Sequence, residues 1–200
     1  MKKALLIVLA IALAPFSAFA VDGVVLINQS TVLAAGGFPY NIATPGSYKL
    51  SGNLIVQQAG VSGIQISASN VTLDLNGFMI SGPPCTTAFC ALTSSGITVP
   101  NVQTSIIVRN GTISGFGSQL SLFLATCLAE DLILRSVPAP GGALSRNSAF
   151  GVSSIVRHVI TDGQLEFNCP AIGIENSATF LVRDGVATSC FILSNLGTVI

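Results

Sequence analysis

Charge is scarce in this chain. Asp, Glu, Lys and Arg together make up 8% of 200 residues, Trp is missing, and there is a single His. Eight basic residues in the whole chain cannot lay a basic face along a nucleic-acid backbone, so no nucleic-acid partner is expected. There is no C-x-x-C pair and no cysteine beside His158, so no metal site is expected. No glycine-rich G-x-G-x-x-G run opens a helix, which leaves no phosphate cradle. After the first twenty residues no apolar run is long enough to cross a membrane: the longest, Leu120 to Leu134, is interrupted by Glu130-Asp131.

The first twenty residues differ from the rest. Lys2 and Lys3 precede the apolar run Ala4 to Ala14, and Ala18-Phe19-Ala20 is an A-x-A cleavage pattern. Together these read as a bacterial secretory signal peptide over residues 1–20, which places the product in the periplasm, on the cell surface or outside the cell. The mature chain expected from Val21 onward has six basic and eight acidic residues.

Export makes disulfides plausible among five cysteines. Cys85 and Cys90 flank a short loop and are the first choice for a local bridge. Cys169 and Cys190 stand 21 positions apart, close to one repeat, and form the second expected pair. Cys127 is left over as a small buried hydrophobe.

What the chain does have is a repeat. In Asn70-Val-Thr-Leu-Asp-Leu-Asn-Gly-Phe-Met-Ile-Ser-Gly82, Val71, Leu73 and Leu75 alternate with polar residues, as in a strand with one apolar face. A shortened copy follows at Ile106-Ile-Val-Arg-Asn-Gly-Thr-Ile-Ser-Gly115. Apolar pairs followed by arginine recur at Val108-Arg109, Leu134-Arg135, Val156-Arg157 and Val182-Arg183, at spacings of 26, 22 and 26. The residues after those arginines, Asn110, Ser136, His158 and Asp184, with Asn76 ahead of them, read as one polar corner column. A period of 20 to 30 residues with strand character implies a repeat architecture. The expected fold is all-β: a parallel β-helix, a single-stranded solenoid of about five or six coils over residues 59–200. Residues 21–58 are expected to form an N-terminal cap and a first irregular coil within the same domain. The strand-like end Thr198-Val199-Ile200 shows no cap, which suggests self-association through the C-terminal coil.

The two Asn-Gly and Ile-Ser-Gly copies resemble the opening coils of right-handed parallel β-helix proteins of the pectate-lyase-like superfamily. Pro45-Gly-Ser-Tyr-Lys-Leu-Ser-Gly-Asn-Leu54 is similar to the entry segment of uncharacterised exported bacterial members. The resemblance implies a right-handed coil and, for an enzyme, polysaccharide lyase or glycoside hydrolase activity on acidic polysaccharide, with calcium as cofactor in the lyase case only. The acidic residues here match neither the lyase nor the hydrolase pattern. The leading expectation is therefore a non-catalytic surface or periplasmic protein, glycan-binding or structural, with no cofactor. Arg109, Arg135, Arg157 and Arg183 would form a basic stripe for an anionic sugar chain, or spacers paired with acids. The alternative, an enzyme, would use Arg157, His158, Asp162 and Glu166, with the two acids in a loop after His158.

Overall fold

The computed structural model describes residues 23–83, 94–135, 146–150, 154–167, 173–175, 178–184, 191–192 and 198–199. The leader and the four cysteines expected to pair, Cys85, Cys90, Cys169 and Cys190, lie outside these residues. The chain runs through β1 (Val24–Ile27), α1 (Gln29–Ala34), β2 (Tyr40–Ile42), β3 (Gly46–Leu50), β4 (Leu54–Ile55), β5 (Ile64–Ile66), β6 (Val71–Asp74), β7 (Met79–Ser81) and β8 (Ser95–Thr98). It continues through β9 (Gln103–Ser114), β10 (Ser118–Leu122), β11 (Ala125–Arg135), β12 (Arg146–Phe150), β13 (Ile155–Arg157) and β14 (Ile160–Phe167). The last strands are β15 (Gly173–Glu175), β16 (Ala178–Asp184), β17 (Phe191–Ile192) and β18 (Thr198–Val199).

Each strand pairs in parallel with the strand one turn later, which builds three ladders. Face A stacks β1, β3, β6, β9, β11, β13, β15 and β17. Face B stacks β4, β7, the second halves of β9 and β11, and the first halves of β14 and β16. Face C stacks β2, β5, β8, β10, β12, the ends of β14 and β16, and β18. The chain is an all-β parallel solenoid, as expected, and after residue 59 face A holds six successive strands, β6, β9, β11, β13, β15 and β17. The turns are unequal: Gly46 pairs with Val71, Val71 with Ile106, Ile106 with Cys127, and Leu128 with Ile155.

Alternation along the strands sends every second side chain into one core. On face A, Tyr48, Leu73, Val108, Ala129 and Val156 stand in register, all buried. On face B, Leu54, Ile80, Ile113 and Leu134 do the same, and on face C, Ile64, Ile97 and Leu120. A fully buried Leu or Ile contributes about 1.5–3 kcal/mol relative to leaving it exposed, so the columns dominate stability. The two Ile-Ser-Gly copies lie on top of each other: Ile80 pairs with Ile113 and Ser81 with Ser114. A Cβ on Gly82 would collide with the backbone carbonyl of Gly115, so that corner is packed backbone to backbone.

The N-terminal segment holds an element the strand patterns do not show. Asn28 caps α1: its side chain accepts from Thr31 N at 3.0 Å, and Thr31 Oγ1 accepts from Asn28 N at 2.8 Å. The helix buries Val32 in the common core. Its first residue, Gln29, then behaves like a piece of strand. Gln29 Oε1 accepts from Ile55 N at 2.9 Å and Gln29 Nε2 donates to Ile55 O at 3.2 Å, which occupies the outer edge of β4.

Leu73, held between Tyr48 and Val108, is the position that tests the column. Leu73→Ala is expected to lower unfolding stability by about 2–5 kcal/mol, read from the midpoint of urea unfolding with an unchanged slope.

Candidate functional site

The charged residues that the sequence scatters come together on the outer side of face A. Lys49 pairs with Asp74, Asp74 with Arg109, Arg109 with Glu130, Glu130 with Arg157, and Arg157 with Glu175. Adjacent strands stand roughly 4.8 Å apart, so Lys49 to Arg157 form an outer column of five positions with alternating sign, and Glu175 follows in backbone register. Within it, Arg109 Nε lies 3.4 Å from Asp74 Oδ2.

Asp74 also organises the adjoining corner. Its Oδ1 accepts from Asn76 N at 2.7 Å and from Asn110 Nδ2 at 3.2 Å. Asn76 Nδ2 reaches back one turn to donate to Leu50 O at 3.1 Å. At this corner the chain turns from face A to face B through left-handed backbone at Asn76, Asn110, Asp131 and His158, with φ of 54°, 61°, 53° and 48°. Asn and Asp tolerate this region because a short polar side chain relieves it locally. His158 completes the series, its Nδ1 3.1 Å from Asp131 Oδ1. Since the carboxylate can only accept, Nδ1 carries the proton in that contact.

This geometry changes the residue alignment. The corner residue between Asn110 and His158 is Asp131, bracketed by the pairs Arg109–Glu130 and Gly111–Leu132. Ser136, expected there, lies outside the described residues, and Asp184 pairs with Phe167 on face C. Asn76 stands level with Asn110, as expected: Gly77 N donates to Asn110 O at 2.7 Å, the bond that the residue after a paired position makes in these ladders. The four arginines do not share a column. Arg109 and Arg157 do, with Glu130 between them. Arg135 pairs with Ser114 at the end of face B, and Arg183 with Glu166 on face C. An apolar pair followed by arginine marks the end of a strand on any face, and unequal turns scramble a count made along the chain.

The alternative catalytic set is likewise dispersed. Arg157 ends β13 and His158 occupies the corner. Asp162 and Glu166 are strand residues of β14, not loop residues, and Glu166 pairs with Ala149 and Arg183. The side-chain partner of His158 is Asp131. Among the described residues there is no group of three or more His, Cys, Asp and Glu placed to hold a metal ion.

Two further features escaped sequence reasoning. Between faces C and A, Val102, Thr104, Phe123, Leu124 and Thr126 line a shallow hollow of about 230 Å³. Phe123 and Leu124 are 45% and 41% exposed there. The corner one turn before Val102, two before Phe123, carries Ser67, Ser69 and Asn70, so the apolar character is local to these two turns. The second feature is Cys127, buried in the core of face A and free, its Sγ 3.1 Å from Ser154 Oγ. Burial raises its thiol from the ordinary value near 9 to about 11, against a smaller opposite pull from the Ser154 hydrogen bond.

The fold places the chain among parallel β-solenoids. No family model matches it, and neither the curated proteins nor the solved structures yield a similar chain.

The column makes a direct prediction. Glu130→Lys would set three cations in a row on Arg109 and Arg157, at a cost of about 1–2 kcal/mol from two opposed like pairs. Urea unfolding at low and high salt should show that deficit shrinking as screening increases. Cys127 makes another. Its raised folded value means that protonation favours the native state. That contribution is complete below about pH 9 and lost as pH rises toward about 11. Cys127→Ala should flatten stability across that window relative to wild type, as read by thermal unfolding at each pH.

Proposed function

We propose that this chain is an exported, non-catalytic β-helix protein of pectate-lyase-like, right-handed build that serves as a surface or periplasmic module and holds glycan. The observation that carries this reading is the cancellation of charge on face A. A strip of alternating sign gives a polyanion no field to follow, and it brings no acid and base together on one bond. The ligand this suits is a neutral sugar chain rather than an acidic polysaccharide. The hollow at Phe123 supplies what a sugar ring uses: an exposed aromatic face, aliphatic walls in Val102 and Leu124, and rim hydroxyls in Thr104 and Thr126. The leader, with its two lysines, apolar run and A-x-A site, supports export.

A panel of neutral and acidic glycans, run with and without calcium, tests this. Binding of neutral glycans without release of shorter or unsaturated products is expected, and Phe123→Ala should weaken it roughly fivefold, about 1 kcal/mol of lost ring contact. Cleavage of any acidic glycan would overturn the non-catalytic reading.

A further inference from the structure

The ladders end differently at the N-terminal side of the solenoid. The outer edge of β4 is occupied by the Gln29 amide. The outer edge of β1 has no such cover: among the described residues, β3 is its only strand partner. Ser51 N donates to Ile27 O at 2.9 Å, which turns Ile27, and by alternation Val25, toward β3. Val24 and Leu26 therefore aim their N–H and C=O groups at the free edge. The strand reads Val-Val-Leu-Ile, with no charge and no proline, and Val25 and Leu26 are 44% and 54% exposed. Folded proteins usually guard such an edge with charge, proline, a bulge or a cover, and β1 has none of the first three.

We propose that β1 is a dimerisation strand, across which a second copy of this chain pairs its own β1 antiparallel about a two-fold axis. A two-fold contact requires a surface that complements itself. β1 does so: Val24 and Leu26 of each copy offer their free backbone groups to Leu26 and Val24 of the other, and Val25 meets Val25 on the core side. Charge permits it as well. Leu26 stacks on Lys49 within its own chain, so face A ends in a neutral row. In the dimer the two Lys49 rows are separated by three strand spacings, roughly 14 Å, beyond a Debye length of about 8 Å. Leu33 and Ile55, 61% and 51% exposed at the same end, add apolar surface. So short an edge makes a weak, concentration-dependent dimer.

Sedimentation velocity over a concentration series of the purified protein tests this with two variants. Leu26→Lys puts a charge on the outward side of the edge. Leu26→Pro removes the outward N–H while leaving the hydrogen bonds between β1 and β3. The expected result is a concentration-dependent wild-type dimer and, for both variants, a dissociation constant raised at least roughly tenfold with unchanged far-ultraviolet dichroism. If Leu26→Pro loses strand signal, Leu26→Lys alone decides. A wild-type protein that stays monomeric at the highest concentration overturns the proposal, as does a dimer indifferent to Leu26→Lys.

Discussion

The hydrogen-bonded step from one turn to the next is the constraint on which this structure depends. A backbone paired in parallel, strand on strand, gives each side chain two fixed neighbours, one in the turn before and one in the turn after. Leu73 is buried because Tyr48 and Val108 flank it in the stack. Arg109 is tolerated because Asp74 and Glu130 flank it. Core and surface obey the same rule with opposite chemistry. The inside repeats like on like, where aliphatic columns gain by contact. The charged column outside face A alternates sign, since like charges one strand apart would repel.

That rule explains how far the sequence could be read. Alternation in Val71, Leu73 and Leu75 is local, and it named the buried face without knowledge of the partners. The repeated Ile-Ser-Gly was legible because two copies kept their spacing within the turn, and Ile80 does stack on Ile113. The arginine series was not legible in the same way. Turn length varies, so residues 26 apart along the chain need not meet, and Arg135 falls on a different face from Arg109. Glu130-Asp131 reads as an interruption of an apolar run. Its meaning, one residue for the charged column and one for the left-handed corner, appears only once Arg109 and Asn110 are placed beside it. The α1 helix was missed for a different reason: six residues show no period, and the Asn28 and Thr31 caps that hold it resemble ordinary turn chemistry.

The candidate sites fared as that logic requires. His158 stood out in the sequence as the single imidazole, yet it lies against Asp131 at a corner that other turns fill with asparagine or aspartate. Phe123 was unremarked in the sequence, where phenylalanines are frequent. Its exposure becomes informative only beside the small polar residues at the same corner two turns earlier. In a solenoid, a function-bearing position is one that departs from its column, and columns can be drawn only after the register is known.

The unequal turns carry a consequence of their own. Val71 meets Ile106 and Ile106 meets Cys127, so one circuit takes up many more residues than the next, while Leu73, Val108 and Ala129 still stand in line. The fold thus counts partners and is indifferent to how much chain separates them. Thirteen residues separate Ser81 from Ser95 where eight separate Ile55 from Ile64, and Ile80 on Ile113 and Ile64 on Ile97 keep their register on either side. Chain length is free to change between the ladders as long as the stacked pairs are kept.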